Sequence, residues 1–501
     1  MDAANEIPGT AATPDGTPPT FLRAALHPNW AFHVFKHLHP YDAGRLEACH
    51  TTVTPLLRVA AERMNDASSG EASKEGATFV AFGADRDAGW ITWARELWLL
   101  YMAVARTRVR GAKMMVSAGE RHSLVAPGNT ENDVWSFGFG LDGQLGHEAG
   151  GIHATAGSEM VPRRVEALGR VMVRQVAAGK AHSMALTVGG GVFTWGYGSM
   201  GVLGHGNTRQ QNVPKRVGSL SPATVSYIAA GERHSTAVTE EGTVYTWGFN
   251  HSGQLGLGDH GAGTHRLVPA EVLGVGGVIA VAAGGDHSLA LSWDGKVMAC
   301  GSNMFGQLGV GDTEACDVFT VVNGLRGAVD IDAGEKHSIA VTAEGRLFTW
   351  GTGRATGHVY GTTSTPTRRS VPTKVGRGGI EEVMVVRVAA GKTHSMALAA
   401  SGELYAWGDG SSGQLGHGSY GLGNKHVHVP RVVGGMGGAV GGMAGGDRHS
   451  LVTTAEGRVL AFGLGVDGRL GLGAGVITAL TPTVIDGITM DEGDEGKEGK
   501  E

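Results

Sequence analysis

The sequence predicts a mainly β fold, a seven-bladed β-propeller of four-stranded blades, preceded by a small N-terminal α-helical module. Three observations predict it. The first is a fourteen-residue interval from a His-Ser pair to a Gly that usually trails an aromatic. It runs from His182 to Gly196, His234 to Gly248, His287 to Gly301, His337 to Gly351, His394 to Gly408 and His449 to Gly463. A seventh copy, His122 to Gly138, is two residues longer, its turn carrying the polar insert Gly128-Asn129-Thr130-Glu131-Asn132. The second is G-x-L-G five residues later in six copies, at Gly143, Gly201, Gly253, Gly306, Gly413 and Gly468. The third is alternation of apolar and polar residues in short runs between Gly-containing turns, with no helical period inside the array.

Within one copy the elements follow in order. Val225 to Gly231 alternates and stops at Gly, and His234 to Thr239 alternates again. Glu241-Gly242 is a tight-turn signal, repeated as Asp294-Gly295, Glu344-Gly345, Ser401-Gly402 and Glu456-Gly457. Thr243 to Gly248 is a further strand. A segment such as Val213 to Val217 or Val371 to Val375 precedes each unit as an edge strand in which Pro is tolerated. One such blade has two apolar faces and cannot bury either alone, so stacking and ring closure are required. Trp135, Trp195, Trp247, Trp350, Trp407 and Phe462 are expected to fill the space between blades.

Glycine, at 85 of 501 residues, recurs at fixed repeat positions and so marks turns. Net charge is −6, much of it from Asp491 to Glu501, where six acids face two lysines. The remainder gives no strong nucleic-acid signal and no pull toward membranes. Cys49, Cys300 and Cys316 fall in no metal or redox spacing, which suits a reducing compartment. The longest apolar stretch, Trp90 to Val104, is broken by Arg95 and Glu96 and is too short to span a bilayer. A monomer in the cytoplasm or nucleus is expected.

The pattern A-A-G-x-x-H-S-x-A-L-T, G-x-V-x-T-W-G, G-Q-L-G resembles the regulator of chromosome condensation repeat family over residues 111 to 488. The resemblance implies a seven-bladed propeller but not one activity. The family includes an exchange factor for the small GTPase Ran, ubiquitin-ligase components, a plant ultraviolet-B photoreceptor and many adaptors. The photoreceptor type implies clustered tryptophans just before each His. Here those positions read Glu120-Arg121, Lys180-Ala181, Glu232-Arg233, Gly285-Asp286, Glu335-Lys336, Lys392-Thr393 and Asp447-Arg448. The founding exchange factor implies a basic N-terminal tail, and residues 1 to 20 contain no Lys or Arg.

Several motifs look chemical. Adjacent strand residues point to opposite faces, so no His can meet its own Ser as a catalytic pair. His122, His182, His234, His287, His337, His394 and His449 are instead read as bonding nearby backbone to fix each hairpin. G-x-G-x-x-G occurs at Gly138, Gly196, Gly408 and Gly463, but a Leu-Gly loop follows where a dinucleotide site needs a helix. No cofactor, metal or catalytic residue is expected.

Residues 21 to 66 differ in kind, with scarce glycine and helical apolar spacing at Trp30, Val34 and Leu38. Their order resembles an F-box. The matching positions are Leu26, Pro28, Val34, Phe35, Leu38, Pro40, Asp42, Leu46 and Cys49; His27 splits the Leu-Pro pair and Ala43 stands where the pattern has Leu. The resemblance implies a Skp-type adaptor as partner, bound through Leu26, Pro28, Val34, Phe35, Leu38, Asp42 and Leu46. Residues 67 to 110 are read as a linker and an amphipathic connecting helix, residues 1 to 20 and 489 to 501 as disordered ends.

Loops that differ between blades are candidate binding elements. Blade five replaces G-Q-L-G with Gly353 to Ser370, including Arg354, His358, Tyr360, Arg368 and Arg369. Blade one has an arm from His147 to Pro162, and blade six carries Tyr420, Lys425, His426 and His428. The reading is a substrate-recruiting adaptor of a Skp–cullin–F-box ubiquitin ligase that binds an unknown target through a propeller rim. Nucleotide exchange on a Ran-like small GTPase, or a plain scaffold, is the alternative.

Overall fold

The computed structural model describes residues 114–127, 133–148, 157–358, 368–418 and 426–488. The N-terminal module, the connecting helix and the acidic tail lie outside the described residues.

The described chain forms seven four-stranded antiparallel sheets. Blades one to seven span 114–164, 173–216, 225–271, 278–321, 328–374, 385–432 and 440–484. The four strands of each blade are consecutive in the chain and adjacent in the sheet. First strands of neighbouring blades touch all the way round, including Val440–Gly445 of blade seven against Met114–Ala118 of blade one. They therefore surround the axis, and the array closes.

The fourteen-residue interval is the register of the central hairpin. His182 pairs directly with Gly196, His234 with Gly248 and His449 with Gly463. In blade one His122 pairs with Gly138 across the longer turn. The turn glycines have the positive φ a tight hairpin demands: Gly242 is at +84° and Gly402 at +88°.

One element sits differently from its sequence reading. The proline-containing segment does not open the next unit; it closes the one before. Gln211–Arg216 pairs with Val192–Gly196 of blade two, and Arg369–Lys374 with Leu347–Gly351 of blade five. As the outermost strand it has no neighbour on its far side, which is why proline is accepted there.

Trp195, Trp247, Trp350, Trp407 and Phe462 are fully buried between blades, each removing about 2–3 kcal/mol worth of apolar surface from water. Trp195 Nε1 donates to the Gln144 carbonyl (2.9 Å) and Trp247 Nε1 to that of Val202 (2.8 Å), both on the preceding blade. Gly204 lies against Trp247 so closely that a Cβ would sit 3.0 Å from its Nε1. Blade one places Phe137, not Trp135, opposite the repeat serine, with Trp135 in the same interface. Blade four has Cys300 there, and Phe319 reaches in from its outermost strand to fill the space.

The histidines do not bond nearby backbone; they tie each blade to the next. Nε2 to serine Oγ distances are 2.9 Å for His122–Ser183, 3.0 Å for His182–Ser235, 2.8 Å for His234–Ser288 and 3.0 Å for His287–Ser338. His337–Ser395 is 3.0 Å, His394–Ser450 is 2.8 Å and His449–Ser123 is 2.9 Å. Each serine donates its one hydrogen to a loop carbonyl, such as Gln144 for Ser183 and Arg469 for Ser123. The imidazole must therefore donate from Nε2. Burial holds these rings far below the usual range, to about 3 for His122, His182, His287 and His337 and about 4 for His234 and His394.

Candidate protein-interaction face

Up-and-down strands put the turn between first and second strands, and the loop between third and fourth, on one face of every blade. The first set lies near the axis and the second farther out. All three unusual arms belong to the second set, and their described ends lie on this face.

At the axis the residues preceding each His form a charged ring. Glu120, Lys180, Glu232, Gly285, Glu335, Lys392 and Asp447 succeed one another from blade to blade. Six backbone bonds join the turns, among them Glu120 N–H to Gly179 O (3.3 Å) and Asp447 N–H to Gly119 O (3.2 Å). Lys180 Nζ lies 3.2 Å from Glu120. Lys392 lies 3.8 Å from Asp447 on the next blade and 4.0 Å from Glu232, three blades away across the axis. Burial alone would pull the Lys392 ammonium down; Asp447, Glu232, Glu120 and Glu335 reverse this and raise it. Glu232 is raised by burial first, then by Glu335 and Asp286, against the two lysines. Asp447 is raised by burial and by Glu120. Within the ring itself four carboxylates, Glu120, Glu232, Glu335 and Asp447, meet two ammonium groups, Lys180 and Lys392.

Around this ring stand cations over aromatic rings. Arg121 lies 3.9 Å from the centre of Phe139, Arg233 5.1 Å from Phe249 and Lys336 5.1 Å from Phe305. Farther out, Leu141, Tyr197, Met200, Met304 and Val466 expose 61%, 49%, 39%, 65% and 44% of their surface on the same loops. Arginine, tyrosine and large apolar tips around a charged centre are the residue types that anchor protein interfaces.

Blade seven completes the ring through a variant of the repeat. Arg469 takes the place of the Gln in G-Q-L-G and is 4% exposed. Its guanidinium donates to the Glu120 carbonyl (3.0 Å) and to Asp467 (3.1 Å), while Arg121 Nε reaches the same Asp467 carboxylate (3.0 Å).

Four of the five blade-five residues expected at the rim, Arg354, His358, Arg368 and Arg369, lie among the described residues. Arg354 opens a short 3-10 turn, Arg354–Thr356, and Arg368 is exposed at the far end of the arm. Arg369 opens the outermost strand opposite Gly351. His358 turns inward, 3.0 Å from Thr349 Oγ1, as His205 does to Thr194, and so supplies framework rather than a rim contact. Tyr360, Tyr420 and Lys425 lie outside the described residues, as do Leu26, Pro28, Val34, Phe35, Leu38, Asp42 and Leu46. His426 pairs with Asp409 at 3.1 Å. Among the described residues no group of three or more His, Cys, Asp or Glu is placed to hold a metal ion.

The sequence reading missed the axial ring. The charges at those positions are the signal that marks it.

The family description "RCC1-like domain" matches residues 95–434. The chain belongs to the RCC1-like propeller family. It is 33% identical over 388 residues to the ultraviolet-B receptor UVR8 of Arabidopsis thaliana, covering 75% of this chain and 70% of that one. It is 35% identical over 344 residues to the E3 ubiquitin-protein ligase HERC2 of Mus musculus, which is 67% of this chain but 7% of that protein. Among solved structures, human WBSCR16 superposes with a TM-score of 0.58 at 27% identity, covering 68% of this chain and 86% of that one. Yeast RCC1 (Prp20), solved with Kap60, gives 0.63 at 23% identity, with 72% and 84% covered, and shows the same fold.

Proposed function

We propose that this RCC1-like chain is a non-catalytic recruiting subunit of a Skp–cullin ubiquitin ligase. It grips its target with the face that carries the axial ring and holds the ligase through the F-box-like segment. One observation carries the reading: a charged centre, stacked Arg/Lys–aromatic pairs and exposed apolar tips share one face with the described ends of the long arms. The histidines that could have suggested catalysis are all consumed in joining blades. Likeness to the propeller portion of a ubiquitin ligase supports the assignment, as does the order Leu26, Pro28, Val34, Phe35, Leu38, Asp42, Leu46.

The test is a pull-down of a purified Skp-type adaptor by the full chain and by Leu38→Asp. Recovery by the wild type and loss in the variant supports the ligase role; no recovery by the wild type ends it. A companion assay follows nucleotide release from a Ran-like GTPase. Acceleration by the chain would replace the ligase reading with an exchange factor.

A further inference from the structure

The first strands surround the axis and end at the charged ring, so each begins on the opposite face, at the far mouth of the axis. There the residue after the second strand folds back over the residue before the first. Val188 N–H donates to Met172 O (2.8 Å), Trp293 N–H to Gly277 O (2.9 Å), Ala400 N–H to Met384 O (2.8 Å) and Ala455 N–H to Ala439 O (2.9 Å). Among the described residues only blade three places polar side chains at these positions, Thr224 and Glu240. Met172, Val188 and Met384 expose 47%, 53% and 49% of their surface. Scattered singly, such residues are ordinary; gathered round one mouth they form an apolar patch of the kind that docks something.

The surroundings of the patch are acidic. In blades three to seven the second-to-third-strand turns lie just outside it. They carry Glu240, Glu241, Asp294, Glu344, Glu403 and Glu456 against Lys296, Arg346 and Arg458.

The chain itself supplies a match to both features. Blade one begins at Met114, on this same face and beside the axis. Upstream, outside the described residues, positions 97–104 read Leu-Trp-Leu-Leu-Tyr-Met-Ala-Val, an unbroken apolar run. Such a run is seldom left in water. Positions 105–113 follow with Arg106, Arg108, Arg110 and Lys113 and no acid. That connecting stretch reaches at most about 30 Å, against roughly 10 Å between packed sheets. The apolar run is therefore tethered within reach of the apolar patch, and the basic stretch borders the acidic turns.

We propose that residues 97–104 of this chain seat on the far mouth of the axis. Trp98 and its apolar neighbours cover Met172, Val188 and Met384, and the following arginines face the acidic turns. Entry point, apolar content and charge all select this occupant. Covered in this way, the far face is closed to a target and recruitment falls to the ringed face. The seating itself does not depend on the ligase reading.

The probe is p-benzoylphenylalanine in place of Trp98 in the full chain, photoactivated and mapped by digestion and mass spectrometry. This reagent favours methionine, and the molecule exposes methionine on both faces: Met172 and Met384 on the far one, Met200 and Met304 on the ringed one. The expected result is crosslinking within one chain to Met172 and Met384. Val188→Glu should lower the yield at Met172 about tenfold or more, because it forces a charge into an apolar contact. Met304→Glu should leave that yield unchanged. If Val188→Glu fails to fold, Ala400→Glu takes its place and is read at Met384. Crosslinks to Met200 and Met304, crosslinks to a second chain, no crosslink within the chain, or a yield indifferent to the far-face variant would overturn the proposal.

Discussion

His449 Nε2 lies 2.9 Å from Ser123 Oγ, so the last blade is bonded to the first by the pair that joins every other neighbour. The circle is closed by side chains and turn backbone, since each blade draws all four strands from one continuous stretch. Ser123→Ala removes the acceptor of His449 and the donor to the Arg469 carbonyl at once. A loss of about 1–3 kcal/mol is expected, read from denaturant unfolding.

The same closure uses a shared carboxylate. Asp467 serves both Arg121 and buried Arg469, at a backbone φ of +66°. Asp467→Asn keeps a residue that tolerates this φ and deletes only the charge. It leaves Arg469 without its counterion and is expected to cost about 1–3 kcal/mol. Adding Arg469→Gln, which restores the residue of blades one, three, four and six, recovers most of the loss in a double-mutant cycle.

Acid should open the ring. The seven repeat histidines titrate near 6.5 when unfolded but are held neutral by burial in the fold, to about 3 or 4 for six and well below 6.5 for His449. Between these limits the unfolded chain binds more protons. Stability is therefore complete above pH 6.5 and falls as pH drops toward 3, by up to about 1.4 kcal/mol per pH unit for each ring. Asp332, raised to about 7 by burial, works in the opposite direction, as do Glu232 and Asp447, but these are three groups against seven. The melting temperature should fall steeply from pH 7 to pH 5; a flat profile would contradict the neutral His–Ser belt.

Burial separates two aromatics that look alike in sequence. Trp247 is fully buried and Tyr197, just after the corresponding position of blade two, is 49% exposed. Trp247→Ala should cost about 3–5 kcal/mol through the cavity it leaves, whereas Tyr197→Ala should change stability by less than about 0.5 kcal/mol. Comparative melting curves decide this.

The number of blades and the central hairpins were legible because His182–Gly196 and its equivalents are both a sequence interval and a strand register. Partners across blades were not. Ser183 is 61 positions from His122 and meets it only after two sheets stack. The exchange of Trp for Cys300 and Phe319 was hidden for the same reason, since the aromatic moved to another strand. The axial ring required knowing that single residues from seven turns converge on one axis.

Crosslinking of complexes captured from cell extract tests most directly whether the ringed face recruits protein. Lys180, Lys336 and Lys392 lie on that face, while Lys296 lies in a second-to-third-strand turn on the opposite one and Lys374 at the matching end of its outermost strand. The account predicts inter-protein crosslinks concentrated on the first three. Crosslinks concentrated on Lys296 and Lys374 would contradict it.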